Sequence, residues 1–214
     1  QIIRKMIRLA VVGDIGSGKS HVAKLFGYPV FNADAEVAKL YKKSRRCYNN
    51  LKKALPNYIR SFPIKKDKLS KAIIDDHNNL KKINKIVHPE VQLHMNNFIK
   101  RNKRKKFVVL DIPLLMENKI NRKNDVLIFI DARKKEITKR LQKRPNTNLK
   151  IIKRIKKFQL PVELKKKRSN FIIKNNFRNN YIKKNVKKVM EKILLNAWNY
   201  TWYRNNRTFD GGKA

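Results

Sequence analysis

Residues 13–20 read Gly-Asp-Ile-Gly-Ser-Gly-Lys-Ser and follow the apolar run Ile7-Arg8-Leu9-Ala10-Val11-Val12. A glycine-rich loop ending in Gly-Lys-Ser, set between a buried strand and a helix, is built to cradle a nucleoside triphosphate. Gly13, Gly16 and Gly18 let the backbone turn tightly and aim its N–H groups at one anion, with Ile15 and Ser17 supplying further amides. The helix starting near Gly18 adds the positive end of its dipole. Lys19 is expected to reach the β- and γ-phosphates of ATP, and the Ser20 hydroxyl to ligate Mg²⁺. His21 follows the metal ligand, where it adjusts packing or touches phosphate.

Three acids stand at the ends of short apolar runs. Asp34 follows Val30-Phe31-Asn32-Ala33. It can orient an acceptor hydroxyl beside the γ-phosphate and take its proton, or it can cap the helix expected over 35–43. Asp111 follows Phe107-Val108-Val109-Leu110 and precedes Ile112-Pro113-Leu114-Leu115. That is the setting of an acid that holds Mg²⁺ directly or through water, the alternative being a turn or capping aspartate. Asp131 is expected to cap the helix after it. His88 precedes Pro89, which suits the first turn of a helix. The imidazole is either a contact for a substrate phosphate or structural. Arg140, Arg144 and Arg154 lie in a basic stretch, 133–159, that could close as a lid and bring guanidinium groups to the phosphates. A solvated charged face is the plainer alternative.

Positioning these residues requires alternating strands and helices. Strands are expected at 6–12, 30–31, 107–110, 126–130 and 171–174. Helices are expected at 19–26, 35–43, 67–74, 78–87, 133–143, 149–158 and 181–198, the last from apolar spacing at Ile182, Val186, Val189, Ile193 and Ala197. Between 44 and 100 the chain holds only polar, helix-like segments broken at Pro56 and Pro63. Such alternation makes an α/β fold with a parallel sheet covered on both faces. Ligands then sit at the carboxyl ends of the strands, where Gly13, Asp34, Asp111 and Asp131 all fall. The segment 203–214 has no period and is expected to be frayed or disordered.

At 214 residues the chain can bury a full core. It carries 55 Lys+Arg against 15 Asp+Glu, a formal charge of +40. The lysines recur on nearly every expected helix and form no separate basic stripe interleaved with aromatics. Nonspecific, salt-dependent RNA binding follows from that charge, but no specific nucleic-acid partner. Cys47 is the single cysteine, which excludes an intrachain disulfide and suits a reducing cytoplasm. No apolar stretch is long enough for a membrane span. Arg4 and Lys5 before an apolar run resemble a signal peptide, but the run leads straight into the phosphate loop, so it is read as the first strand. Met6 is a candidate natural start.

The phosphate loop, Asn32-Ala33-Asp34, His88-Pro89, Asp111-Ile112-Pro113-Leu114-Leu115-Met116-Glu117, Arg140 with Arg144, Gln159 and Asn175 occur in an order that resembles the dephospho-coenzyme A kinase family, from about residue 6 to about 195. The resemblance implies a three-layer P-loop fold: a nucleotide-binding core (1–43, 107–132 and 168–202), a helical substrate insert (44–106) and a lid (133–167). It implies ATP-dependent phosphorylation of the ribose 3′-hydroxyl of dephospho-CoA; the chain itself is expected to be a monomer or weak oligomer. Asp34 matches the second acid of an Asp-Ala-Asp motif, the base for that hydroxyl. Arg140 matches a lid arginine, His88 belongs to the substrate side with Asp34 and Asp111, and Arg144 and Asn175 to the nucleotide side. Four positions depart from the family pattern: Asp14 stands for Gly, His21 for Thr or Ser, Asn32 for the first Asp, and Pro145 for Asp. A related small-molecule kinase, for a nucleotide, nucleoside or shikimate-like alcohol, is the nearest alternative, and an RNA-binding protein on the same scaffold a more distant one.

Overall fold

The computed structural model describes residues 6–143 and 149–198. The expectations for Arg144, Pro145 and the segment 203–214 lie outside these residues, as does the side chain of Arg154. Strands β1 (Ile7–Gly13), β2 (Val30–Asn32), β3 (Phe107–Asp111), β4 (Val126–Ala132) and β5 (Phe171–Asn175) form one parallel sheet in the order β2-β3-β1-β4-β5. All five stand within a residue or two of their expected positions. β1 is fully buried, and the two-residue period of a strand splits it between faces. Ile7, Leu9 and Val11 pack with α1 (Lys19–Leu25) and α9 (Asn179–Trp198). Ala10 and Val12 pack on the opposite face with Leu110, Phe129, Ile112 and Met95.

Four further helices follow β2: α2 (Ala33–Lys43), α3 (Arg45–Ala54), α4 (Lys66–Asp75) and α5 (Asn78–Arg101). They share an apolar cluster of their own, including Leu40, Cys47, Leu51, Leu69, Ile83 and Val87. Pro89 does not begin a helix, as its sequence context suggested. It sits inside α5, whose apolar stripe serves two clusters at once: Ile83 and Val87 on one side, Met95 and Phe98 on the sheet side. Packing at both ends holds the helix across a residue that cannot donate its own hydrogen bond. Beyond β4 come α6 (Lys134–Lys143), α7 (Leu149–Lys156) and α8 (Val162–Lys167). Asp131 also departs from expectation. β4 runs on to Ala132, so Asp131 lies within the strand and pairs with Lys166 at 3.5 Å instead of capping α6.

Arg8 interrupts the apolar run of β1 and is only 5% exposed. Its Nη2 donates to Asp125 Oδ2 at 2.6 Å, and the same oxygen accepts the Arg122 amide at 2.9 Å. Burial lowers the Arg8 pKa and raises that of Asp125, while each charge counteracts the shift of the other. Removing one partner leaves the other charge buried and uncompensated. Asp125→Ala is therefore expected to lower unfolding stability by about 3–5 kcal/mol, read from urea denaturation. A loss below about 1 kcal/mol would mean that water reaches Arg8.

Candidate active site

Parallel pairing puts Val11 and Asn32 both opposite Asp111, so the carboxyl ends of β1, β3 and β2 line up. β1 is central and the connections diverge around it, which makes its carboxyl end the crevice of the sheet. The phosphate loop leaves β1 there. A side chain at Gly13 would place Cβ 2.8 Å from Ser17 Oγ and 2.9 Å from the Ile130 carbonyl oxygen. At Gly18, with φ of +87°, Cβ would lie 2.5 Å from Asn175 Nδ2. Glycine is required at both positions by close approach, and at Gly18 also by its left-handed backbone. Gly16 lies under Ile137 and Leu141 of α6, so this helix packs directly on the loop.

Asn175 closes the loop from β5. Its Nδ2 donates to the Ser17 carbonyl at 2.7 Å, and its Oδ1 accepts the Phe177 amide at 2.8 Å. The Arg140 guanidinium stacks over the Phe177 ring at 4.4 Å, a cation–π contact that draws it toward Gly18 and the start of α1. Phe177 carried no sequence signal beyond its place after Asn175. Ser17 Oγ is buried with no hydrogen-bond partner. The His21 ring meets Asn179 Oδ1 at 3.1 Å, at the start of α9.

Lys19 Nζ donates to the carbonyls of Gly13 (3.2 Å) and Asp14 (2.9 Å). Burial lowers its pKa; Asp111, then Asp14 and Asp34, pull it back up, and Lys165 pushes it further down. The loop lysine therefore lies in the field of both strand-end acids. Asp14, where the family pattern has glycine, turns its carboxylate onto the Ile15 amide at 2.8 Å and lies 3.8 Å from Lys156 of α7.

The two acids are held differently. Asp111 is 3% exposed and accepts a short hydrogen bond from Asn32 Nδ2. Asn32 Oδ1 accepts the Ala35 amide at 2.7 Å. Asn32 is thus the cap of α2, and Asp34 is not: it lies inside the first turn, exposed. An amide does both jobs of Asn32 at once, because it can accept for the cap and donate to Asp111. A carboxylate at 32 could do only the first.

Asp34 and His88 line one cavity of about 660 Å³, between α2, α5 and the loop after β3. Pro113, Glu117, Tyr41 and Phe158 share its wall. His88 keeps an exposed edge, and desolvation of the rest of the ring lowers its pKa. Burial pushes the Tyr41 phenol up, which keeps it a neutral donor.

Magnesium fits this donor set. No group of three metal-ligating side chains occurs among the described residues, but Mg²⁺ in phosphoryl-transfer sites keeps several waters and draws its other ligands from substrate phosphates. Exposed Ser20, beside Lys19, and buried Asp111 are the residues that would hold it. Its chemistry would be to neutralise charge on the phosphates.

A family model described as dephospho-CoA kinase matches residues 7–180. The chain belongs to the dephospho-CoA kinase family. It is 33% identical over 194 residues to the dephospho-CoA kinase of Wolbachia sp. subsp. Brugia malayi, a match covering 88% of this chain and 99% of that relative. It is 34% identical over 193 residues to that of Bartonella quintana, covering 88% and 98%. Among solved structures it is similar to one from Thermus thermophilus, at 26% identity and a TM-score of 0.72, covering 90% of this chain and 98% of that one. The fold is also that of a shikimate kinase from Acinetobacter baumannii, at 13% identity and a TM-score of 0.50 with 91% and 96% coverage. Membership in the dephospho-CoA kinase family accounts for the order of motifs, from the phosphate loop to Asn175. One residue of the cavity wall and its buried counter-charge escaped the sequence reading. Glu117 stood in a matched motif without an assigned role, and Lys165 was one basic residue in a row of four.

Proposed function

We propose that this protein transfers the γ-phosphoryl group of ATP to the ribose 3′-hydroxyl of dephospho-CoA. The observation that carries this reading is the position of Asp34. It lies on the wall of the acceptor cavity and within the electrostatic reach of Lys19. The loop amides, Lys19 and Arg140 bind and orient the triphosphate. Asp34 orients the hydroxyl and accepts its proton as the oxygen–phosphorus bond forms. The bond between the γ-phosphorus and the bridging oxygen breaks, and ADP leaves with that electron pair. Direct charge stabilisation and positioning do most of the work in such a transfer. The helices α6 and α7 close over the loop and keep water from the γ-phosphate. The assignment of 44–106 to acceptor binding and of 133–167 to the lid is part of the same proposal.

The test is a coupled ADP-release assay with Mg²⁺, run with dephospho-CoA and separately with AMP, CMP and shikimate. ADP release is expected with dephospho-CoA and at background rate with the other three. Equal or faster release with any of them would overturn the acceptor assignment while leaving the kinase chemistry in place.

A further inference from the structure

Lys165 of α8 is 2% exposed, a rare placement for a lysine. Its counter-charge, Glu117 Oε1, is 3.6 Å away, beyond normal hydrogen-bond length. That oxygen already accepts the Leu160 amide at 3.0 Å. The ammonium is thus buried but loosely held, an arrangement that contributes little to stability by itself. Its two flanks are informative. On one side its charge is felt by Lys19 of the phosphate loop. On the other, Glu117 lines the acceptor cavity together with Asp34. α8 itself packs on β1, the strand that feeds the loop. Both lysines are withdrawn from water and their charges oppose each other, and an anion of higher charge than one carboxylate would relieve both.

Resting on the kinase reading above, we propose that Lys165 is a second phosphate-contacting lysine. Its ammonium rests against Glu117 in the empty protein and passes to the γ-phosphate when ATP binds, so that Lys19 and Lys165 grip the transferring group from two sides. Glu117 is its positioning residue. Four methylenes give lysine the reach for such a swing, and three rotatable donors let it exchange one anion for another.

The experiment compares a nonhydrolysable ATP analogue with ADP, each with Mg²⁺, by calorimetric titration of the full chain. Lys165→Met and the double variant Lys165→Met with Glu117→Gln are measured beside Lys165→Arg. The double variant removes both charges at nearly constant volume, so no charge is left buried alone. It is expected to bind the ATP analogue about 10-fold more weakly, the worth of one charge-assisted hydrogen bond, and ADP within about 2-fold of wild type. Turnover with dephospho-CoA is expected to fall on the order of 100-fold. Lys165→Arg keeps the charge and is expected to retain most of the preference for the ATP analogue. If the double variant, with an unfolding midpoint at or above wild type, discriminates ATP analogue from ADP as wild type does, the pair is structural and the proposal is wrong. Should the double variant fail to fold, Lys165→Met alone decides by the same ratio: equal loss of affinity for both nucleotides overturns the assignment, whereas a loss confined to the ATP analogue upholds it. The nucleotide comparison needs no acceptor. Failure of the wild type to turn over dephospho-CoA would therefore strike the functional reading and leave the role of Lys165 decided separately.

Discussion

Asp34→Asn is expected to lower turnover by about 10²–10⁴-fold, the usual contribution of a positioned general base, with ATP affinity within about 2-fold of wild type. Size and hydrogen-bonding reach are kept, so the acceptor still docks, but the amide cannot take the hydroxyl proton. Two features support this residue as the proposed base. Asp111 is buried and engaged by Asn32, whereas Asp34 is exposed on the cavity wall. The capping role that could have explained Asp34 belongs to Asn32, so the substitution should leave α2 intact. Single-turnover phosphorylation with equilibrium titration of ATP separates the two effects. Turnover within 10-fold of wild type would remove Asp34 from the proton-transfer step.

Replacing Lys19 with Met should cut kcat/KM for ATP by about 10³-fold or more, because the charge that meets the phosphates is lost where the dielectric is low. The thermal midpoint should hold or rise. Burial already opposes the Lys19 charge more than the nearby acids favour it, and the hydrogen bonds its ammonium makes among the described residues are to the Gly13 and Asp14 carbonyls. A loss of activity that tracked a loss of folded protein would point instead to a structural lysine. Unchanged affinity for ATP, measured by titration on folded protein, would contradict the phosphate assignment outright.

Much of the fold was legible from short-range signals. The two central strands on the crevice, β1 and β3, are buried along their length, apolar but for Arg8 and the terminal Asp111, and end at Gly13 and Asp111. The phosphate loop is legible for a similar reason: the contacts that make it are local, and only glycine satisfies the crowding at Gly13 and Gly18. Helix boundaries were harder. Pro89 gave a false start because a proline's local preference was overruled by the two clusters that grip α5 on either side of it. Asp131 looked like a cap because sequence cannot show that β4 continues past it toward Lys166.

By itself, then, the chain's order of residues determined the ligand class, the parallel α/β architecture and the candidate acids, because these depend on neighbours in sequence. Only the folded structure decided that Asn32 rather than Asp34 caps α2, that Asp131 lies within β4 instead of capping a helix, and that Asp34 lines the cavity beside α5. It also decided that Phe177 carries Arg140, and that one lysine of a basic row is buried in α8, the helix that packs on β1. Those outcomes join residues separated by tens of positions, such as Asn32 with Asp111 or Ser17 with Asn175. In a chain so rich in lysine, charge pattern alone cannot single out Lys165; burial does, because withdrawing an ammonium from water is costly and must be compensated by an anion.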